Sequence, residues 1–175
     1  VMGAEVELRS LRGTRRVPVE QLWVGPGRTC AAPDELCVAV HIPAPPARAG
    51  SAYVRLEYRR AMEIAVVGAA AVVTLADDGA VATLAVALTA VAPIILSVTG
   101  LDALVGLGVT GAAAAVGEMA ATQATPISDV RASDRYRRHT VGVMARRAVE
   151  AAARRAGGET IAIPVNRAIG IGAPS

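Results

Sequence analysis

Phenylalanine and lysine are missing from this 175-residue chain, and aromatic residues make up only 2% of it. With one Trp and three Tyr against 53% apolar residues, the core has to be built from Ala, Val, Leu and Ile. Such side chains pack closely but bury little area each, so modest stability for the size is expected. Because there is no Lys, all positive charge rests on Arg, a pattern we read as coding bias and not as function. The Arg residues are interleaved with apolar ones and lack stacking aromatics beside them, so a nucleic-acid partner is not expected. Cysteine is scarce too. Cys30 and Cys37 stand seven apart, a spacing that fits no zinc or iron–sulfur pattern. They read as small residues in a reducing, cytoplasmic setting. His41 and His139 are far apart and lack neighbouring carboxylates at catalytic spacing. Neither a Ser/His/Asp set nor a carboxylate pair is visible.

The first 20 residues are charged and hold no apolar core, so no secretory leader is expected. Residues 80–98 form an uncharged run long enough to span a membrane. Its Ala and Val are diluted by Thr83, Thr89 and Ser97, no aromatic belt flanks it, and Asp77-Asp78-Gly79 before it is a hairpin signal. We read it as soluble structure, with no membrane span.

Alternation over residues 4–9, a turn at Gly13 and residues 15–19 predict two short strands, which need further strands beside them to be stable. A loop over 25–34 precedes a strand at 35–42. Pro43, Pro45 and Pro46 with Gly50 read as a stiff connector. Beyond it, residues 52–59, 64–76 and 81–91 read as a strand meander, the middle strand apolar enough to be covered on both faces. Ala-rich runs of this kind leave a helical alternative open. Helical spacing then dominates: a turn at 101–105, a helix over 110–123, a break at Pro126, and a long helix capped by Ser133 and ended by Gly157-Gly158. Tyr136, Thr140, Met144, Ala148 and Ala152 share one face of that helix.

Four stretches carry more information. They are Val17-Pro18-Val19 through Gly25-Pro26-Gly27-Arg28-Thr29; Pro33-Asp34-Glu35-Leu36 with Ile42-Pro43; Tyr53-Val54-Arg55-Leu56 with Arg59 through Gly68; and Pro126-Ile127-Ser128-Asp129-Val130-Arg131-Ala132-Ser133 with Tyr136-Arg137-Arg138. In order and spacing they resemble the C-terminal part of the FAD-binding subunits of the xanthine and carbon monoxide dehydrogenases, the molybdenum hydroxylases. The resemblance implies an α+β fold: a three-stranded antiparallel sheet packed on a three-helix layer, preceded by the last strands of an α/β FAD-binding subdomain. It implies that residues 1–45 close that subdomain, 50–155 form the C-terminal domain and 156–175 are a tail. Electrons would reach FAD from the iron–sulfur small subunit, itself fed by a molybdopterin-containing large subunit, and would leave for an acceptor. The Gly-rich loops that hold the FAD pyrophosphate in the family have no counterpart here, so an N-terminal FAD half is an expected partner. A truncated interaction domain that binds no FAD by itself is the alternative.

The same resemblance suggests four cofactor-side residues. Leu36 and Cys37 match the strand that runs beside the flavin ring. Arg55 matches a basic position at the ring's pyrimidine edge, where a cation favours negative charge on the reduced ring. Glu63 matches an acidic position in a loop bordering the flavin, usually Asp in the family. Asp129, Arg131, Tyr136 and Arg137 match its most recognisable motif and read as structural.

Overall fold

A computed structural model describes residues 1–59 and 63–161; the greater part of the expected tail, 162–175, lies outside the described residues. The chain opens with β1 (Glu5–Ser10) and β2 (Gly13–Pro18), a single helical turn α1 (Val19–Leu22), a small hairpin of β3 (Trp23–Gly25) and β4 (Arg28–Thr29), and β5 (Leu36–His41). These make a three-stranded antiparallel sheet in the order β2-β1-β5 and a separate two-stranded one. Its core is small: Val6, Leu8 and Val17, with Val19, Leu22, Cys30 and Ala31 packed around them.

The main sheet has the order β6-β7-β8-β9, from β6 (Ala49–Leu56), β7 (Val67–Leu75), β8 (Val81–Thr89) and a two-residue β9 (Leu96–Ser97), all antiparallel. A 3-10 turn at Leu101–Leu104, then α2 (Val109–Gln123) and α3 (Asp134–Ala156), cover one face. The α+β fold is therefore as expected, with a short fourth strand added. The uncharged run 80–98 is sheet, and among the described residues no helix is long and apolar enough to cross a membrane.

Alternation along β7 explains the layering. Val67, Ala69, Ala71 and Val73 are fully buried beneath the helices. Ala70, Val72 and Thr74 point the other way and are only half-buried, so the expectation of a strand covered on both faces needs correction. The opposite face of the sheet floors two grooves instead. Tyr53, Tyr58, Tyr136 and Trp23 all stay exposed, leaving a core of aliphatic side chains.

Small residues let the layers close. A Cβ on Gly142 of α3 would lie 2.6 Å from the carbonyl of Gly117 on α2. Ser133 caps α3 by accepting from the Tyr136 amide at 3.2 Å, and Gly157-Gly158 follow its last turn. Thr140, Met144, Ala148 and Ala152 form its buried stripe, while Tyr136, expected on the same stripe, faces solvent.

Candidate functional site

Among the described residues β5 pairs with β1 on one side only, and its other edge has no strand beside it. Leu36 is 72% exposed and Cys37 is exposed as well, so neither is the ordinary buried strand residue its composition suggests. The register between β1 and β5 shifts between Glu7 and Leu8, leaving Val38 without a partner; such bulges re-aim the side chains that follow. The entry to β5 is held firmly. Arg15 donates to both carboxylate oxygens of Glu35, at 2.7 and 2.8 Å, and to the Cys30 carbonyl at 3.0 Å. Glu35 also accepts the Ala32 amide at 2.7 Å. With the Arg15 guanidinium first and the Ala32 amide second, its carboxyl is pulled down to about 2. Arg15 and the Ala32 amide thus fix Glu35, the residue before Leu36; the Pro33-Asp34-Glu35 turn signal hints at the turn but not at the Arg15 partner.

Arg55 sits on β6 opposite Gly68 of β7. Its Nε lies 2.6 Å from Oε2 of Glu57, a partner that sequence reading did not select. Glu63 is tucked in, its side chain 10% exposed, with Oε2 3.4 Å from Nε of Arg59. Both charges are locally neutralised. Among the described residues no hydrogen bond or ion pair joins Leu36 or Cys37 to Arg55 or Glu63.

The Asp129 motif is a densely hydrogen-bonded polar cluster. Arg137 is 3% exposed and reaches three ways: Nη1 donates to the carbonyls of Val66 (2.8 Å) and Ala90 (3.1 Å), and Nη2 to Oδ1 of Asp129 (2.7 Å). Asp129 further accepts the Arg131 amide at 2.8 Å, the Ala132 amide at 3.2 Å and Arg131 Nη1 at 2.8 Å. Ser128 accepts the Asp134 amide at 2.8 Å, and Tyr58 Oη donates to the Arg131 carbonyl at 2.5 Å. The cluster pins the loop before α3 to the sheet, which is the structural role expected of it. The Arg131 amide, and after it Arg137, hold the Asp129 carboxyl down at about 2, below its ordinary 3.8. A carboxyl depressed by folding stabilises the fold above its ordinary value, and that contribution is lost as pH falls toward the folded one. The thermal midpoint should therefore fall between about pH 5 and pH 2, and less steeply in Asp129→Asn and Glu35→Gln variants; equal slopes in wild type and variants would contradict it.

Between the two sheets lies a cavity of about 510 Å³, with Met2, Pro18 and Trp23 on one side and Ala70, Ala87 and Ile94 on the other. Glu5 and Glu20 are the charged side chains in its lining among the described residues. Among the described residues no three His, Cys, Asp or Glu come together as metal ligands.

An open strand edge with an exposed aliphatic side chain is a surface on which a flat ring can lie and take hydrogen bonds from backbone amides. Among the described residues no strand leads through a Gly-rich turn into a helix N-terminus that could cradle a pyrophosphate: Gly106-Leu107-Gly108 enters α2 from the 3-10 turn, β2 leads into a single helical turn, and the Gly25-Pro26-Gly27 turn joins two strands.

Residues 52–152 match the family described as CO dehydrogenase flavoprotein C-terminal domain. The carbon monoxide dehydrogenase medium chain of Afipia carboxidovorans is 37% identical over 158 residues, 89% of this chain and 54% of the relative. The xanthine dehydrogenase FAD-binding subunit of Escherichia coli O157:H7 is 32% identical over 165 residues, 91% of this chain and 55% of the relative. The solved structure of reconstituted CO dehydrogenase from Oligotropha carboxidovorans superposes with a TM-score of 0.81 at 34% identity, over 88% of this chain and 54% of that one. The chain thus spans about half the length of the curated relatives it matches. The match spans more than half of the chain, from within β6 to within α3, and this chain belongs to the CO dehydrogenase flavoprotein C-terminal domain family.

Proposed function

We propose that this chain is the C-terminal part of a flavoprotein electron-transfer subunit of a cytoplasmic molybdenum hydroxylase. Residues 1–45 close the FAD-binding subdomain, 50–155 form the C-terminal domain and 156–175 are a tail. An N-terminal FAD half supplies the pyrophosphate contacts, and the partners are a molybdopterin-containing large subunit and an iron–sulfur small subunit. The observation that carries the reading is β5: an open edge, rigidly led in by Glu35, with Leu36 exposed at its start.

In this reading Leu36 packs on the face of the flavin ring and the Cys37 segment offers backbone amides to its polar edge. Arg55 and Glu63 border the pyrimidine side. Their existing partners, Glu57 and Arg59, keep that corner close to neutral and hold both side chains in place before any cofactor arrives. When bound, FAD supplies the ability to take electrons from one carrier and give them to another.

Fluorescence titration with FAD tests the reading. The isolated chain should show no saturable micromolar site, because the charge-assisted contacts to the pyrophosphate are missing. The chain joined to its N-terminal half should bind FAD, and Leu36→Asp in that complete subunit should weaken binding by about tenfold, or ~1.4 kcal/mol. Tight binding to the isolated chain, or no effect of Leu36→Asp, would overturn the assignment.

A further inference from the structure

The back of the main sheet carries an apolar trough. Its first groove, about 420 Å³, is floored by Val72, Thr74, Thr83 and Ala85. The second, about 510 Å³, continues it, because Ala70 and Ala87 are the next paired positions on the same face. Met2 and Gly3 line both grooves. Among the described residues no charged side chain borders the first, and Glu5 and Glu20 border the second. Glu5 has Arg16 3.9 Å away, whereas Glu20 makes no ion pair among the described residues.

The last described residue stands at the rim of that trough. Arg155, near the end of α3, donates from Nη1 to the Ser51 carbonyl at 2.6 Å and from Nη2 to the Ile161 carbonyl at 2.8 Å. One guanidinium therefore holds Ile161 beside β6. Gly50 faces α3, so alternation turns Ser51 to the back of the sheet, where it lines the first groove. From Ile161 onward the sequence also alternates. Ile161, Ile163, Val165, Arg167, Ile169 and Ile171 take the odd positions, and the small or polar Ala162, Pro164, Asn166, Ala168 and Gly170 the even ones. Period 2 is the pattern of an extended segment with one apolar face, and this face carries a single cation. Reach is sufficient. Residues 162–175 can extend about 46 Å. Ala87 lies two strands across from Ser51 and two residues along, on the order of 12 Å.

We propose that residues 161–171 occupy this trough as a strap, with their isoleucines in the two grooves and Arg167 at Glu20. The strap fastens the small sheet to the main one, since the second groove has Trp23 on one wall and Ile94 on the other. A segment tethered at the rim has an effective concentration in the millimolar range, which favours it over any free occupant. The inference goes beyond the flavin reading and does not depend on it.

Trp23 is the only tryptophan of the chain, so acrylamide quenching of its emission reads the second groove directly. The full chain is compared with three full-length variants: Ile169→Asp/Ile171→Asp, Arg167→Glu, and Arg167→Glu with Glu20→Arg. Far-UV circular dichroism checks that each keeps the fold. The isoleucine pair should shift the docking equilibrium by about a hundredfold, raising Trp23 quenching well above wild type. Arg167→Glu should shift it by about two- to fivefold, and adding Glu20→Arg should reverse that shift. Equal quenching in wild type and the isoleucine variant would overturn the proposal. So would a charge exchange that fails to reverse, because the tail would then lie elsewhere, such as along the outer edge of β6. Wild-type protection that fades on dilution would give the trough to a second copy and would overturn it too.

Discussion

Arg137→Met is expected to cost the fold ~3–5 kcal/mol, a large share of the roughly 5–15 kcal/mol that holds a domain of this size together. The substitution keeps the volume and removes the charge. It removes one of the two guanidinium partners of Asp129, which keeps Arg131 and two backbone amides, and takes donors from the Val66 and Ala90 carbonyls, leaving the buried Val66 carbonyl without its side-chain donor. The cost comes from what is left unpaired. Arg137 Nε has no hydrogen-bond partner, so the pair is itself imperfectly solvated, and its net worth is smaller than the damage done by breaking it. Arg137→Lys should recover only part of the loss, because one ammonium cannot reach Asp129 and both carbonyls at once. Pairing Arg137→Met with Asp129→Asn should cost less than the sum of the two single changes. Urea unfolding of the four proteins decides the matter; additive losses would mean that the two side chains do not act as a unit.

Gly50→Val should abolish folding, and Gly50→Ala should cost ~3 kcal/mol, at the upper end for overpacking. An added Cβ would lie 2.1 Å from the Ala152 carbonyl oxygen, 2.4 Å from the Ala156 amide nitrogen and 2.9 Å from Arg155 Cβ. Two of these are helix backbone atoms that cannot swing aside, so β6 would have to retreat from α3. That movement would also strain the bond from Arg155 Nη1 to the Ser51 carbonyl at 2.6 Å. Gly111 in α2 is the control. A Cβ there meets nothing within 4 Å, so Gly111→Ala should stabilise by ~0.5–1 kcal/mol through helix propensity alone. Denaturation midpoints should therefore move in opposite directions for the two Gly→Ala variants; a shift of the same sign would refute the packing account.

Gly50 also shows where sequence reading runs out. Beside three prolines it reads as connector, yet β6 starts at Ala49 and needs a residue without a side chain where α3 crosses. That requirement belongs to a partner some 100 residues away, and no local pattern carries it. Arg137 was legible as part of a motif but not as buried, since charged residues default to solvent. Signals that act within a few residues were readable: the Asp77-Asp78-Gly79 turn, where Gly79 takes φ +84°, and the Ser133 cap. The site was harder. Leu36 and Cys37 were chosen from resemblance, and their exposure follows from which strands β5 lacks, which alternation cannot report. Glu35 and Glu57 escaped because an isolated glutamate looks the same whether it is a surface charge or a clamp.

The two outer strands of the small sheet are not equally guarded. On its β2 side the outermost strand carries Arg15 and Arg16 and ends in Pro18, which has no amide hydrogen to offer. On its β5 side nothing of the kind stands guard: Leu36, Val38 and Val40 face solvent. Among the described residues, added chain therefore meets more obstacles at the β2 end than at the β5 end. Two copies pairing through β5 would satisfy each other across a two-fold axis. A strand from the same subunit would fill that edge first, and the sheet would then be inert on both sides.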